Sequence, residues 1–152
     1  MGFITNRAKK MLADGTLDWD TDTLKAVLVT SSNDATVDNN FVGDITTLGE
    51  LSGTGYVAGF GNSGRHVLAN KAVAQDDAND RAELKADNET WTAIDAGTVA
   101  AVLVIKEVTN DADSILLGKV DLAAAKTTNG GNLTIEWADH AGGNGVLFRH
   151  TS

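Results

Sequence analysis

The chain has no cysteine and no proline, and only 5% of its 152 residues are aromatic. Without thiols it has no disulfide framework, no thiolate metal site and no cysteine nucleophile. Without proline, tight turns fall to glycine, asparagine and aspartate, and 16 glycines are available for them. No slow prolyl isomerisation then delays folding, which suits a protein made quickly and in many copies. Positive charge is scarce as well: 12 Lys and Arg face 21 Asp and Glu, a formal net charge of −9. A phosphate-backbone binder needs clustered cations that displace counterions, so nucleic acid is not the expected partner. Long apolar runs are missing too, and none approaches the roughly 20 residues of a membrane helix. The opening Met1-Gly2-Phe3-Ile4-Thr5-Asn6-Arg7 lacks the apolar core of a signal peptide. Gly2 follows Met1, yet Asn6 stands where a myristoylation signal carries Ser or Thr. No membrane attachment is expected, and the chain is expected to stay in a cytoplasm or in a particle assembled there.

What is present is ordinary for a folded domain: 42% apolar and 22% charged residues. A chain of this length suits one domain and removes roughly 70% of its unfolded surface from water. The organising stretch is Thr98–Leu122. Thr98-Val99-Ala100-Ala101-Val102-Leu103-Val104-Ile105-Lys106 is an almost continuous apolar run rich in β-branched residues, the pattern of a strand buried on both faces. After the polar break Asn110-Asp111-Ala112-Asp113, the stretch Ile115–Leu122 alternates. The two halves read as a β-hairpin whose first strand is central in its sheet.

Residues 3–14 carry a helical pattern, with Ile4, Ala8, Met11 and Leu12 on one face and Arg7, Lys9 and Lys10 away from it. Thr5 or Asn6 fits as the N-cap and Gly15 as the residue that ends the helix. So short a helix needs a support, either its own domain or an acidic partner surface met by the basic face. Leu17–Thr23 places acids at every second position. An EF-hand would need glycine at Thr23 and an acid at Val29, whereas strand alternation with Trp19 turned inward explains the spacing. Further strands are expected at 24–30, 66–73, 81–87, 133–137 and 146–149, while 88–94 leads into the hairpin with Trp91 as a core anchor. Between them lie a polar, disordered-looking segment at 31–40 and a helical turn or irregular loop at 41–48. Seven to eight short antiparallel strands separated by turns predict an all-β sandwich of jelly-roll or immunoglobulin-like type. The expected division is a helix or arm over 1–16 and the sandwich over 17–152.

No constellation of reactive residues stands out. Gly53-x-Gly55-x-x-Ala58 and Gly59-x-Gly61-x-x-Gly64 resemble dinucleotide fingerprints, but no apolar strand precedes them and no helix follows. Glycines that permit tight bends account for both. Ser63 has Arg65 where a nucleophile elbow needs its second glycine. His66, His140 and His150 are scattered, and Asp139 beside His140 has no flanking sequence to support a triad. The Asp-rich turns at 76–80 and 111–113 are explained by side chains that bond their own backbone. No catalytic residue, metal or cofactor is expected, and the chain is not expected to be an enzyme.

Several segments taken in order resemble one family. They are Leu24-Lys25-Ala26-Val27-Leu28-Val29-Thr30-Ser31, Glu50-Leu51-Ser52-Gly53-Thr54-Gly55-Tyr56, and the strand from Ala78 through Asn79-Asp80-Arg81 to Trp91. The hairpin 101–122 follows, then Gly131-Asn132-Leu133-Thr134-Ile135-Glu136-Trp137 and Asn144-Gly145-Val146-Leu147. Over residues 24–148 this order resembles small phage virion proteins described as head decoration, cement or minor structural proteins. The chain departs from them in lacking a proline after its first strand and in carrying Phe60 within the glycine-rich stretch. The resemblance implies a protein without catalytic activity, made in a bacterial host cytoplasm and carried on the outer surface of the virion. It would bind an HK97-type major capsid protein as a homo-oligomer, with a homotrimer at local threefold positions favoured. Several weak contacts would then add through effective concentration. The basic helix, with Arg7, Lys9, Lys10 and Met11, is the expected foot on the capsid. The alternative is a receptor- or carbohydrate-binding module of a tail or head fibre, using Tyr56 and Phe60. A tail-tube or head–tail connector ring is the third reading.

Overall fold

The computed structural model describes residues 2–138 and 144–151. Along them run β1 (Phe3–Ile4), α1 (Asn6–Ala13), β2 (Lys25–Val29), β3 (His66–Val67), β4 (Ala72–Asp76) and β5 (Arg81–Asp87). These are followed by β6 (Glu89–Trp91), β7 (Thr98–Lys106), β8 (Ile115–Thr127), β9 (Leu133–Ile135) and β10 (Asn144–Thr151). The strands form three antiparallel sheets ordered β1-β8-β7-β2-β3, β10-β5-β4 and β6-β9. This is the expected all-β sandwich with one short helix.

The β7–β8 hairpin lies where its sequence places it, and β7 is central. Val102 and Val104, with Ala26 and Leu28 of β2 and Leu117 of β8, turn into the main core. Ala101, Leu103 and Ile105, with Val27, Val29 and Leu116, turn to the other face. There Ala35, Val42 and Ile45 of the segment between β2 and β3 cover them. Apolar residues run consecutively along β7 because both of its faces are out of water, an arrangement unusual in antiparallel sheets.

The covering segment corrects the disordered-looking expectation for 31–40. Its polar residues staple backbone rather than solvate it. Asn33 donates from Nδ2 to Leu48 O at 2.8 Å, and Asp34 Oδ1 accepts from Thr47 N at 2.9 Å. Asn39 Oδ1 accepts from Thr36 N, and Asp44 Oδ2 from Asn40 N and Phe41 N. Val42–Asp44 is a single 3₁₀ turn, and the segment's ends rejoin β2 through Thr30 N to Gly49 O and Leu51 N to Leu28 O.

Two other expectations change. The alternating acids of Leu17–Thr23 mark a turn, not a strand: Asp18 Oδ1 accepts from Asp20 N and Thr21 N, while Asp22 Oδ2 accepts from Asp18 N. Trp19 still points inward. The single strand expected at 66–73 is two strands in different sheets, parted at Asn70, whose φ is +46°. This break carries the chain from one layer of the sandwich to the other. The turn expected at 139–145 falls largely outside the described residues.

Tryptophan indoles join the layers, each with its N–H on a distant carbonyl. Trp19 donates to Lys85 O, Trp91 to Gly64 O and Trp137 to Asp87 O. On β8, Gly118 is fixed by crowding. A Cβ there would run into Phe3 O of β1 and lie 2.6 Å from Phe148 Cζ of β10. Gly118→Ala should therefore cost about 1–3 kcal/mol through overpacking, read as a lowered urea midpoint. An unchanged midpoint would contradict the close stacking of β1 and Phe148 over β8.

Candidate functional site

The basic helix is seated on the sandwich. Thr5 is its N-cap, with Oγ1 accepting from Ala8 N at 3.1 Å and donating to Leu116 O at 2.8 Å. Gly15, at φ +73°, turns the chain out of the helix, as expected. Ile4 and Ala8 are buried, and Met11 and Leu12 pack partly buried on the main core. Of the two supports considered, the helix has its own domain, since eight residues hold their shape only by such docking.

The expected foot residues then differ in what they have left to offer. Lys10 pairs with Asp14 across one helical turn. Asp14's carboxyl is drawn down to about 2, chiefly by Lys10 and then by bonds from Thr16. Met11 is partly buried against the core. Arg7 is half-buried on the flank of α1 that faces Phe41, its guanidinium carbon 4.3 Å above the ring centroid, and its Nε has no hydrogen-bond partner. Lys9 lies exposed on the opposite flank. Among the described residues neither Arg7 nor Lys9 has a carboxylate within ion-pair distance. In a chain with nine more acids than bases that is a conspicuous vacancy of counter-charge.

Beside Lys9 an open groove of about 510 Å³ runs between α1 and the β4–β5 ladder, lined by Leu12, Trp19, Val73 and Leu84 among others. A second hollow of about 410 Å³ lies where β1 and β8 meet β9 and β10.

The glycine-rich stretch is a bent loop. Gly53 and Tyr56 bond each other's backbone across a turn in which Gly55 has φ +75°. Tyr56 is not displayed for a ligand. It is 1% exposed, its hydroxyl donates to Glu50 Oε1 and accepts from Leu28 N, and burial with the Glu50 charge pushes its pKa up. Phe60 does reach the surface, at 38% exposure. It belongs with exposed Val57, Val67 and Val108 to the end of the molecule where the loop, β3 and the hairpin turn converge. Gly61 N donates there to Glu107 Oε1, and Lys25, paired in register with Val67, bridges to Glu107 Oε2 at 2.6 Å.

Sequence reasoning missed what holds that end together. Arg65, its side chain fully buried, grips Glu50 through Nε and Nη2, Asp111 through both terminal nitrogens, and Glu107 at 3.2 Å. Desolvation works against the guanidinium charge, but bonds to Glu50 and Asp111 outweigh it and raise the pKa. Burial likewise opposes ionisation of Glu107. Bonds from Lys25 and Gly61 N prevail, and its carboxyl falls below the ordinary glutamate value. The four residues come from three segments, Glu50, Arg65 and the hairpin turn that carries Glu107 and Asp111, so no spacing motif announces them.

The remaining expected residues stay apart. His66 stacks on Trp91 at 4.5 Å between ring centroids and approaches Glu89 at 3.4 Å. His140 and Asp139 lie outside the described residues, as does the His150 side chain. Asp76 bonds Asn79 and Arg81, and Asp113 bonds Thr109. No group of three or more histidines and carboxylates set to hold a metal ion occurs among the described residues. No described helix is long and apolar enough to cross a membrane.

Arg65→Met should leave the half-buried Glu50 without its cation, leave Glu107 to Lys25 alone, and lower stability by about 3–5 kcal/mol at neutral pH, measured by urea unfolding. Arg65→Lys, with one ammonium for three carboxylates, should recover only part. Because Glu107 is depressed in the folded state, its contribution is complete above the unfolded-state value and fades as pH falls through the folded one. Stability curves of the parent and Glu107→Gln should accordingly converge in acid, and parallel curves would remove Glu107 from the ionic cluster. No protein-family model matches the chain, nor does any curated protein or solved structure.

Proposed function

We propose that the protein decorates the head of a phage, binding the outer surface of an HK97-type capsid lattice as a homo-oligomer, in the favoured case a trimer, and stiffening it. The ordered resemblance of residues 24–148 to small phage virion proteins motivates this reading. The observation that carries it is α1: a rigidly docked helix with no acid of its own, presenting Arg7 and Lys9 without counter-charges on a chain of net charge −9. Such a surface holds free copies apart through their common negative charge while offering one local cationic contact to an acidic lattice. Adhesion by a stiff β-sandwich needs no reactive centre. Repetition over many equivalent sites lets individually weak contacts hold.

The fibre-module alternative draws on Phe60 and its exposed neighbours. With Tyr56 buried, one partly exposed aromatic ring remains in that loop, a thin platform for stacking a sugar.

Heads of the encoding virus, stripped of this protein, should rebind it to saturation at a fixed ratio to capsid subunits and then resist heat better than bare heads. Recovery of the protein with tails alone, or heads that never bind it, would retire the decoration reading. Truncating the first fifteen residues is a poor test, because it strips β1 from β8 and uncovers the core. Charge reversal spares both. Lys9→Glu should melt like the parent and occupy heads less, the deficit growing as salt is lowered.

A further inference from the structure

We propose that the groove between α1 and β4 is the capsid-docking cleft, and that it takes an extended acidic segment of the capsid protein added as a strand along β4. This rests on the decoration reading above and specifies its contact.

Three observations converge on the cleft. First, β4 is an edge strand: β5 pairs with it on one side, and no strand lies on the other among the described residues. Its outer N–H and C=O groups offer a ladder to an extended peptide. Second, side chains in register across the sheet run Phe148, Leu84, Val73, and their exposures are 4%, 5% and 51%. The apolar row is covered within the core and opens at its last member. A strand laid beside β4 supplies the next position in that row, with an aliphatic side chain between Val73 and Leu12, over Trp19. The groove's volume of about 510 Å³ accommodates such side chains. Third, the charges at the rim select the occupant. Lys9 lines the groove without a carboxylate of its own, whereas Asp18 on the same rim keeps its charge but already accepts from the N–H groups of Asp20 and Thr21 and feels the nearby Lys71. The charge left without an opposite partner is that of Lys9, and the matching segment sets an acidic residue against it beside an aliphatic one. The other candidate occupant, a second copy of this chain, is told apart by the cross-linking test below.

The cleft is tested on heads with the full chain carrying benzoylphenylalanine at Val73, and with the same photoreactive residue at Val108 as a control. Irradiation should join position 73, and not 108, to the major capsid protein. Adducts from 73 to another copy of this chain, or none from 73 while the protein sits on heads at normal occupancy, overturn the proposal. Point variants check it independently of the bulky probe: Lys9→Glu should weaken head binding about tenfold, and Lys126→Glu should leave it unchanged. Equal losses from both variants also overturn it, since bulk charge alone would then govern attachment. Failure is separable from failure of the underlying reading. A parent chain that does not bind heads rejects decoration itself, whereas a parent that binds with position 73 silent rejects only the cleft.

Discussion

The architecture depends on one constraint: the five-stranded sheet is apolar on both faces, so both must be shielded. Val27, Val29, Ala101, Leu103, Ile105 and Leu116 project away from the main core, and burying such a side chain is worth roughly 1.5–3 kcal/mol relative to leaving it in water. Left bare, that face would be a sticky plane. The shield is the irregular segment between β2 and the glycine-rich loop, which has no ladder to satisfy its peptide groups. Side chains do so instead, with Asn33, Asp34, Asn39 and Asp44 each taking a backbone group. The demand for a second cover thus explains both the unbroken apolar run of β7 and the density of asparagine and aspartate between residues 31 and 48. It also fits the lack of proline, since the shield needs its N–H groups as donors.

At the opposite end of the strands, electrostatics takes over the work that a ladder does elsewhere. Arg65 gathers Glu50, Glu107 and Asp111, and Lys25 joins through Glu107. Bringing these charges out of water is costly, and an apolar set of equal volume can be as stable. What an ionic cluster supplies is direction: a guanidinium fork fits its carboxylates in few arrangements. The result is a defined position for three segments that share little other structure, and for the exposed Phe60 and Val108 that ride on them.

Legibility in the sequence followed from how local each cause was. The hairpin could be read because period and residue type agree over many consecutive positions, and α1 because Thr5 and Gly15 mark its ends. Trp19 turns inward as the alternation suggests, but an Asp18-centred turn and not a strand swings it there. The shield is not legible because asparagine and aspartate look alike in sequence whether they face water or hold backbone. Tyr56 in its glycine-rich setting looked displayed, and only the fold brings Glu50 and Leu28 N to its hydroxyl. The Arg65 cluster and the α1 groove were beyond reach. Each is assembled from segments tens of residues apart, and neither leaves a spacing signature.

The pairing of Phe3 and Ile4 with Lys119 and Gly118, and of Thr5 with Leu116, sets an order of events during synthesis. Residues 3–5 have no seat until the second arm of the hairpin has been made, more than a hundred residues later. Until then residues 3–13 form an unmoored amphipathic segment. Seating of the helix therefore waits on a pairing across most of the domain, and the closing contact is one of long range rather than of neighbours in sequence.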